Sequence, residues 1–78
     1  MPIINVKVLA GAFSDEQKHA MIDEITHALT RIGGEGIRPS VHVLVEDIAS
    51  GMWGIGGARL TTEEIMERRR QRSAAGTT

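Results

Sequence analysis

Position 2 is a proline directly behind the initiator methionine. Removal of Met1 would leave its ring nitrogen as a secondary amine at the start of the chain, and that amine is a base. Ordinary α-amino groups titrate at about 7.7 to 8.0, and apolar surroundings disfavour the ammonium form, so a base poised near neutral pH results. The ring fixes φ, and the lone pair is then aimed by the backbone rather than by a flexible side chain. A second reading stands beside this one: proline is also accepted at the first residue of a strand, with no chemistry attached. While Met1 stays in place the nitrogen is a tertiary amide and cannot take a proton.

Little else in the chain suggests covalent or metal chemistry. Cysteine is absent, which excludes a disulfide framework and thiolate ligands, and His19, His27 and His42 approach no zinc spacing. His19 and His27 fall on or beside the polar side of a helix and read as bystanders. Trp53 sits within Gly51-Met52-Trp53-Gly54-Ile55-Gly56-Gly57, a large apolar surface on a glycine-rich stretch that suits a pocket wall or an interface anchor. Residues 1–67 carry five Lys/Arg against ten Asp/Glu, whereas residues 68–78 carry four arginines and no acid. Arg68, Arg69, Arg70 and Arg72 read as a helix end fraying into a solvated tail rather than as a nucleic-acid patch, so no nucleic-acid partner is expected. No run approaches the about 18 apolar residues of a membrane helix, and no basic-then-apolar leader opens the chain, so a cytoplasmic protein without a membrane partner is expected.

The elements that must carry these groups follow from periodicity. Ile3 to Leu9 is β-branched, with Ile4, Val6 and Val8 on one face and Asn5 and Lys7 on the other, the pattern of a strand. Ser14-Asp15-Glu16-Gln17 is a capping box, and apolar positions 21, 22, 25, 28, 29 and 32 form one helical stripe that Gly33-Gly34 ends. After a Gly-Glu-Gly turn and Pro39, the span from Val41 to Ile48 alternates again. Strand, helix of about nineteen residues and strand make a βαβ unit with parallel strands. The glycine stretch predicts a tight hairpin or loop, and Thr61-Thr62-Glu63-Glu64 is a second capping box opening a short helix to about Arg70. The expected organisation is an α+β domain over 1–70 and a flexible tail over 71–78.

At 78 residues, 41% hydrophobic and with two aromatic residues, such a domain has thin apolar material. Small scaffolds without staples hold only about 3 to 5 kcal/mol. One helix covers one face of a two-stranded parallel sheet, and parallel sheets are normally covered on both. Another copy of the chain is the natural cover, and self-association is expected.

Pro2-Ile3-Ile4 leading into a strand, Ser14-Asp15-Glu16-Gln17-Lys18 at a helix start and Gly54-Ile55-Gly56-Gly57 after a second strand together resemble the 4-oxalocrotonate tautomerase family of the tautomerase superfamily. The likeness spans residues 2 to about 60. It implies a β-α-β subunit that pairs into a four-stranded sheet with helices on one face, usually as a trimer of dimers; a homohexamer is expected, with a homodimer or trimer as the alternative. In that family the processed N-terminal proline is the general base that moves a proton from an enol hydroxyl to carbon, giving a 2-keto acid, without a cofactor. Pro2 matches that position.

The resemblance also implies an arginine just after the glycine ending strand one, an arginine in strand two and an aromatic residue in the glycine hairpin. Here Ala12 and Phe13 follow Gly11, so the first arginine is missing. His42 stands at the strand-two position, and Trp53 is the aromatic residue. His42 reads equally as a donor to the substrate carbonyl or as a polar interface residue. Arg59 and Arg38 are candidate replacements for the missing cations, or else solvated or paired with Glu46 or Asp47. Two bidentate guanidinium groups grip a dicarboxylate better than one imidazole, which bears on which acid is turned over. The expected function is keto-enol isomerisation of a small 2-hydroxydienoate or 2-keto acid, with Pro2 catalytic and His42, Trp53 and Arg59 binding substrate. Hydration, dehalogenation or decarboxylation of related acids, or a non-catalytic assembly subunit of the same fold, are the alternatives.

Overall fold

A computed structural model describes residues 1–74. Strand β1 (Ile3–Leu9) leads into helix α1 (Asp15–Gly33), a 3-10 segment (Glu35–Ser40), β2 (His42–Ile48), a short hairpin of β3 (Trp53–Ile55) and β4 (Ala58–Leu60), and helix α2 (Thr62–Ala74). β1 and β2 pair in parallel from Ile3↔His42 to Leu9↔Ile48, as a helical crossover requires. The expected β-α-β subunit with a hairpin and a closing helix is the observed one.

Strand alternation divides the residues cleanly. Ile4, Val6, Val8, Val43 and Val45 are buried or half-buried on the face that meets α1, while Ile3, Asn5, Lys7, His42, Leu44 and Glu46 are exposed on the other. The Ser14 hydroxyl accepts from the Gln17 amide at 3.1 Å, and the Gln17 side chain accepts from the Ser14 amide at 2.9 Å, so both halves of the capping box form. At the other end Gly34 takes φ 93°, a conformation that costs glycine little, and donates to the Thr30 carbonyl at 2.7 Å.

Two details of α1 differ from the sequence reading. Ile32 is 84% exposed rather than part of the packed stripe, because α1 is longer than the sheet it covers: about 27 Å of helix lies over about 20 Å of strand. Thr30, polar by type, is instead buried at 4% exposure; its hydroxyl donates to the Thr26 carbonyl, as that of Thr26 does to Ile22, and so neither enters the packed face unsatisfied. The Gly-Glu-Gly turn is wound into the 3-10 segment, closed by Ile37 N–H to Gly34 O and by an Arg38 fork that grips Glu35 at 3.0 Å through both Nε and Nη2.

In the hairpin, Gly56 and Gly57 both have positive φ (59° and 88°), the requirement of a type I′ turn between two-residue-linked strands. At α2, Thr61 Oγ1 accepts from the Glu64 amide at 3.2 Å, and its hydroxyl donates to the Glu64 carboxylate. The helix runs to Ala74, four residues past its expected end, and residues 75–78 of the expected tail lie outside the described residues.

The core is small. Among the described residues, Val8, Leu9 and Ala12 are the buried apolar ones, and no side chain is fully enclosed. The radius of gyration is 15.8 Å, against about 11.5 Å for a compact chain of this length. One sheet face and the hairpin thus stand open.

Candidate active site

The leading edge of the sheet holds Pro2 and His42. Pro2 is half-buried, and its carbonyl accepts from the His42 amide at 2.9 Å, one ladder step before the Ile3↔His42 pair. That bond fixes the proline against β2, so the ring direction is set by the sheet. The His42 imidazole belongs to the open face, and a hollow of about 430 Å³ beside it is lined by Ile22, Thr26, Pro39, Val41 and Leu44 among others. Ile3 and Leu44, 68% and 47% exposed, flank the imidazole on that face with apolar surface.

Trp53 and Arg59 are at the other end. The hairpin follows the trailing end of β2, and its base is tied by Gly51 N–H to Leu60 O at 2.9 Å. Six strand steps, about 20 Å, separate that end from the Ile3↔His42 pair next to Pro2. The two hairpin residues also face apart: Trp53 pairs with Leu60, whereas Arg59 pairs with Gly54, so alternation puts their side chains on opposite faces of the ribbon. Arg59 lines a hollow of about 480 Å³ with Gly51, Met52, Gly54 and Gly57. Within one chain, therefore, Pro2 and His42 are neighbours, Trp53 and Arg59 lie at the opposite sheet end, and the four form no single cluster.

The charges around the sheet are mostly spoken for. Lys7 donates to Glu46 at 2.7 Å across the open face, and that hydrogen bond holds the Glu46 carboxyl below its ordinary range. Lys18 reaches from α1 to Asp47 at 3.0 Å, and the hydrogen bond raises the Lys18 ammonium above its ordinary value. Arg38, read as a replacement cation or a partner of Glu46 or Asp47, is committed to Glu35, whose carboxyl it lowers. It also approaches His27 Nδ1 at 3.5 Å, while His19 stays exposed on α1. Arg59 makes no ion pair among the described residues. Among those residues no group of three or more His, Cys, Asp or Glu could hold a metal ion, and no helix is long and apolar enough to cross a membrane.

The sequence reading placed α2 but took its arginines for a fraying, solvated helix end. Its basic run is largely engaged: Arg69 donates through Nη1 to the Ala12 carbonyl at 2.5 Å and lies over Phe13, Arg70 pairs with Glu67, and Arg72 too has a partner. The Thr62 hydroxyl donates to the Ala10 carbonyl at 2.5 Å, and Ser50 Oγ accepts from the Thr62 amide at 3.0 Å. Thr62, Ile65 and Arg69 recur at i, i+3 and i+7 and are all half-buried. That spacing was the available signal for a docked helix.

Comparison with known proteins places the chain in context. Residues 2–63 match the family described as tautomerase enzyme. The chain is 41% identical over 59 residues to a probable tautomerase of Staphylococcus epidermidis, covering 76% of this chain and 93% of that protein. It is 39% identical over 64 residues to one of Staphylococcus haemolyticus, covering 82% of this chain and all of that protein. The subunit is also similar to a solved structure of the 4-oxalocrotonate tautomerase isozymes from Methylibium petroleiphilum, with TM-score 0.63 and 29% identity over 74% of this chain and 90% of that one.

Proposed function

The chain belongs to the tautomerase family, and from that premise we propose that it isomerises a small 2-hydroxydienoate or enolised 2-keto acid with the Pro2 amine as the proton carrier. The observation that carries this reading is the half-buried Pro2, clamped to His42 at the leading edge of the sheet, where Ile3 and Leu44 expose apolar surface on the open face. Met1 is 85% exposed, which suits its removal. The freed amine takes the proton from the enol O–H, the oxygen lone pair closes to a carbonyl, and the carbon–carbon π pair accepts the proton back from the prolinium. Atoms and charge balance, and the substrate supplies its own acidic proton and π system, so no cofactor takes part.

The rest of the site comes from a second copy. A two-fold axis that continues a sheet sets like strands antiparallel, and so the leading edge of one copy meets the trailing edge of the other. That arrangement closes the distance of about 20 Å between Pro2 and a hairpin carrying Trp53. His42 then orients the substrate carbonyl from the same chain as Pro2, and Trp53 walls the pocket from the other. The exposed Ile3 and Leu44, and a core of three buried apolar residues among those described, favour a self-associated protein; a trimer of dimers is the form proposed.

The test is ketonisation of phenylenolpyruvate and 2-hydroxymuconate by protein whose intact mass shows Met1 removed. Replacing Pro2→Ala is expected to cost about 100-fold or more. Undiminished turnover in that variant would overturn the assignment of the base. A parent protein inactive on every keto and enol acid tried would leave an assembly subunit.

A further inference from the structure

Helix α2 carries a cation, Arg69, that is held in place without an anion among the described residues. Arg69 Nη1 donates to the Ala12 carbonyl at 2.5 Å, and the guanidinium carbon lies 5.0 Å from the centre of the Phe13 ring. Arg69 is half-buried, whereas its neighbours Arg68 and Arg70 are exposed. Arg38 and Arg70 each grip a glutamate, but no carboxylate pairs with Arg69 among the described residues. Its other contact is the Met66 sulfur at 3.8 Å, a weak acceptor that both neutralises nothing and leaves Nε and Nη2 available. A guanidinium stacked on a ring and tied to a carbonyl has already lost its rotamer freedom, so a carboxylate arriving there meets a preorganised fork.

Its place in the fold is equally specific. The Thr62 hydroxyl fastens the start of α2 to Ala10 just past β1 while its amide donates to Ser50, and Arg69 reaches the same turn from two helical turns further on. This is the trailing edge of the sheet, the edge that a two-fold continuation of the sheet brings against Pro2 of the other copy. Arg69 also lies past residue 63, on the part of α2 that runs beyond the region matched to the family. Arg59, by comparison, is exposed on the hairpin and makes no ion pair among the described residues.

We propose that Arg69 binds the carboxylate of the keto or enol acid in the composite site, making α2 the element that selects acids over neutral enols. This rests on the tautomerase reading above. The substrate class it implies is an α-keto or α-hydroxy-enoic acid whose carboxylate is ionised and lies on the α2 side of Pro2.

The experiment compares phenylenolpyruvate with its methyl ester, using intact, Met1-free protein and the variants Arg69→Met, Arg69→Gln and Arg68→Met. Affinity for cinnamate, an unreactive carboxylate of similar shape, is measured in parallel by calorimetry. Loss of a charge-assisted fork is expected to lower the acid-to-ester ratio of kcat/KM by about tenfold or more, mainly through KM for the acid, and to weaken cinnamate binding likewise. Arg69→Gln keeps a donor for Ala12 but no charge, and is expected to behave as Arg69→Met does, which covers the case in which the latter unfolds. Arg68→Met removes the same charge from the same helix and is expected to change neither quantity. Acid and ester falling together, or cinnamate affinity unchanged in both Arg69 variants, would reduce Arg69 to a staple between α2 and the turn. Parent protein that turns over neither substrate would sink the tautomerase reading, and the cinnamate affinities would still decide for or against Arg69.

Discussion

The His42 amide donates to the Pro2 carbonyl at 2.9 Å, joining the residue just before β1 to the first residue of β2. One bond therefore couples the proposed base to the proposed orienting group. It also settles which end of the sheet both occupy, and leaves Trp53, Arg59 and Arg69 at the other.

Leu44 is exposed on the open sheet face, in register with Asn5 and two residues beyond His42. If a second copy covers that end, Leu44→Glu buries an unpaired carboxylate at the contact, a cost that a weak interface does not survive. The expected outcome is a smaller assembly by light scattering, with tautomerase activity falling in step with mass. A variant that stays fully assembled would count against this face as the contact.

The docking of α2 rests on a few polar bonds rather than on a core. Thr62→Val keeps the shape but removes the donor to Ala10 and leaves that carbonyl unpaired; a loss of about 1 to 2 kcal/mol is expected in urea unfolding. Gly11→Ala strikes the same contact from the other side. Its φ is +84°, and a Cβ there would meet Thr62 Cγ2 at 3.1 Å, so strain of about 1 to 2 kcal/mol is expected on top of loosened α2 packing. Proteolysis within 62–74 is expected to accelerate in both variants.

The pH dependence of stability follows from the ion pairs. Glu46 and Glu35 are held below their ordinary values by Lys7 and Arg38, so the folded state favours their ionised forms. Their contribution is full above the unfolded-state value of about 4.3 and is lost as pH falls through the lower folded values. Lys18 has the opposite sign: raised by Asp47, its contribution is full below about 10.4 and fades as pH rises through the folded value. Thermal melts are expected to fall at both extremes, and Glu46→Gln to flatten the acid limb alone. An acid limb unchanged in that variant would remove the Lys7–Glu46 pair from the account. Both partners are half-exposed, so salt is expected to shrink the effect.

Local order was legible because it is written in neighbouring residues. Alternation gave both strands, the Ser14 and Thr61 boxes gave both helix starts, and the doubled glycine gave the hairpin. Ile32 and the 3-10 segment were misjudged because each depends on something at a distance: the length of the sheet under α1, and an Arg38–Glu35 fork that closes a turn periodicity cannot see.

The candidate site divides along the same line. The sequence by itself determined which residue types exist for the chemistry, Pro2 foremost, and that no loop arginine follows Gly11. Only the tertiary structure decided where they stand: parallel pairing sets Pro2 beside His42, hairpin register turns Arg59 away from Trp53, and the docking of α2 delivers Arg69 to Ala12 and Phe13. The physical reason is range. Propensity and capping act over three or four residues, whereas each of these placements joins residues about 40 or more apart in sequence or depends on which face a strand presents, and such contacts are fixed by packing alone.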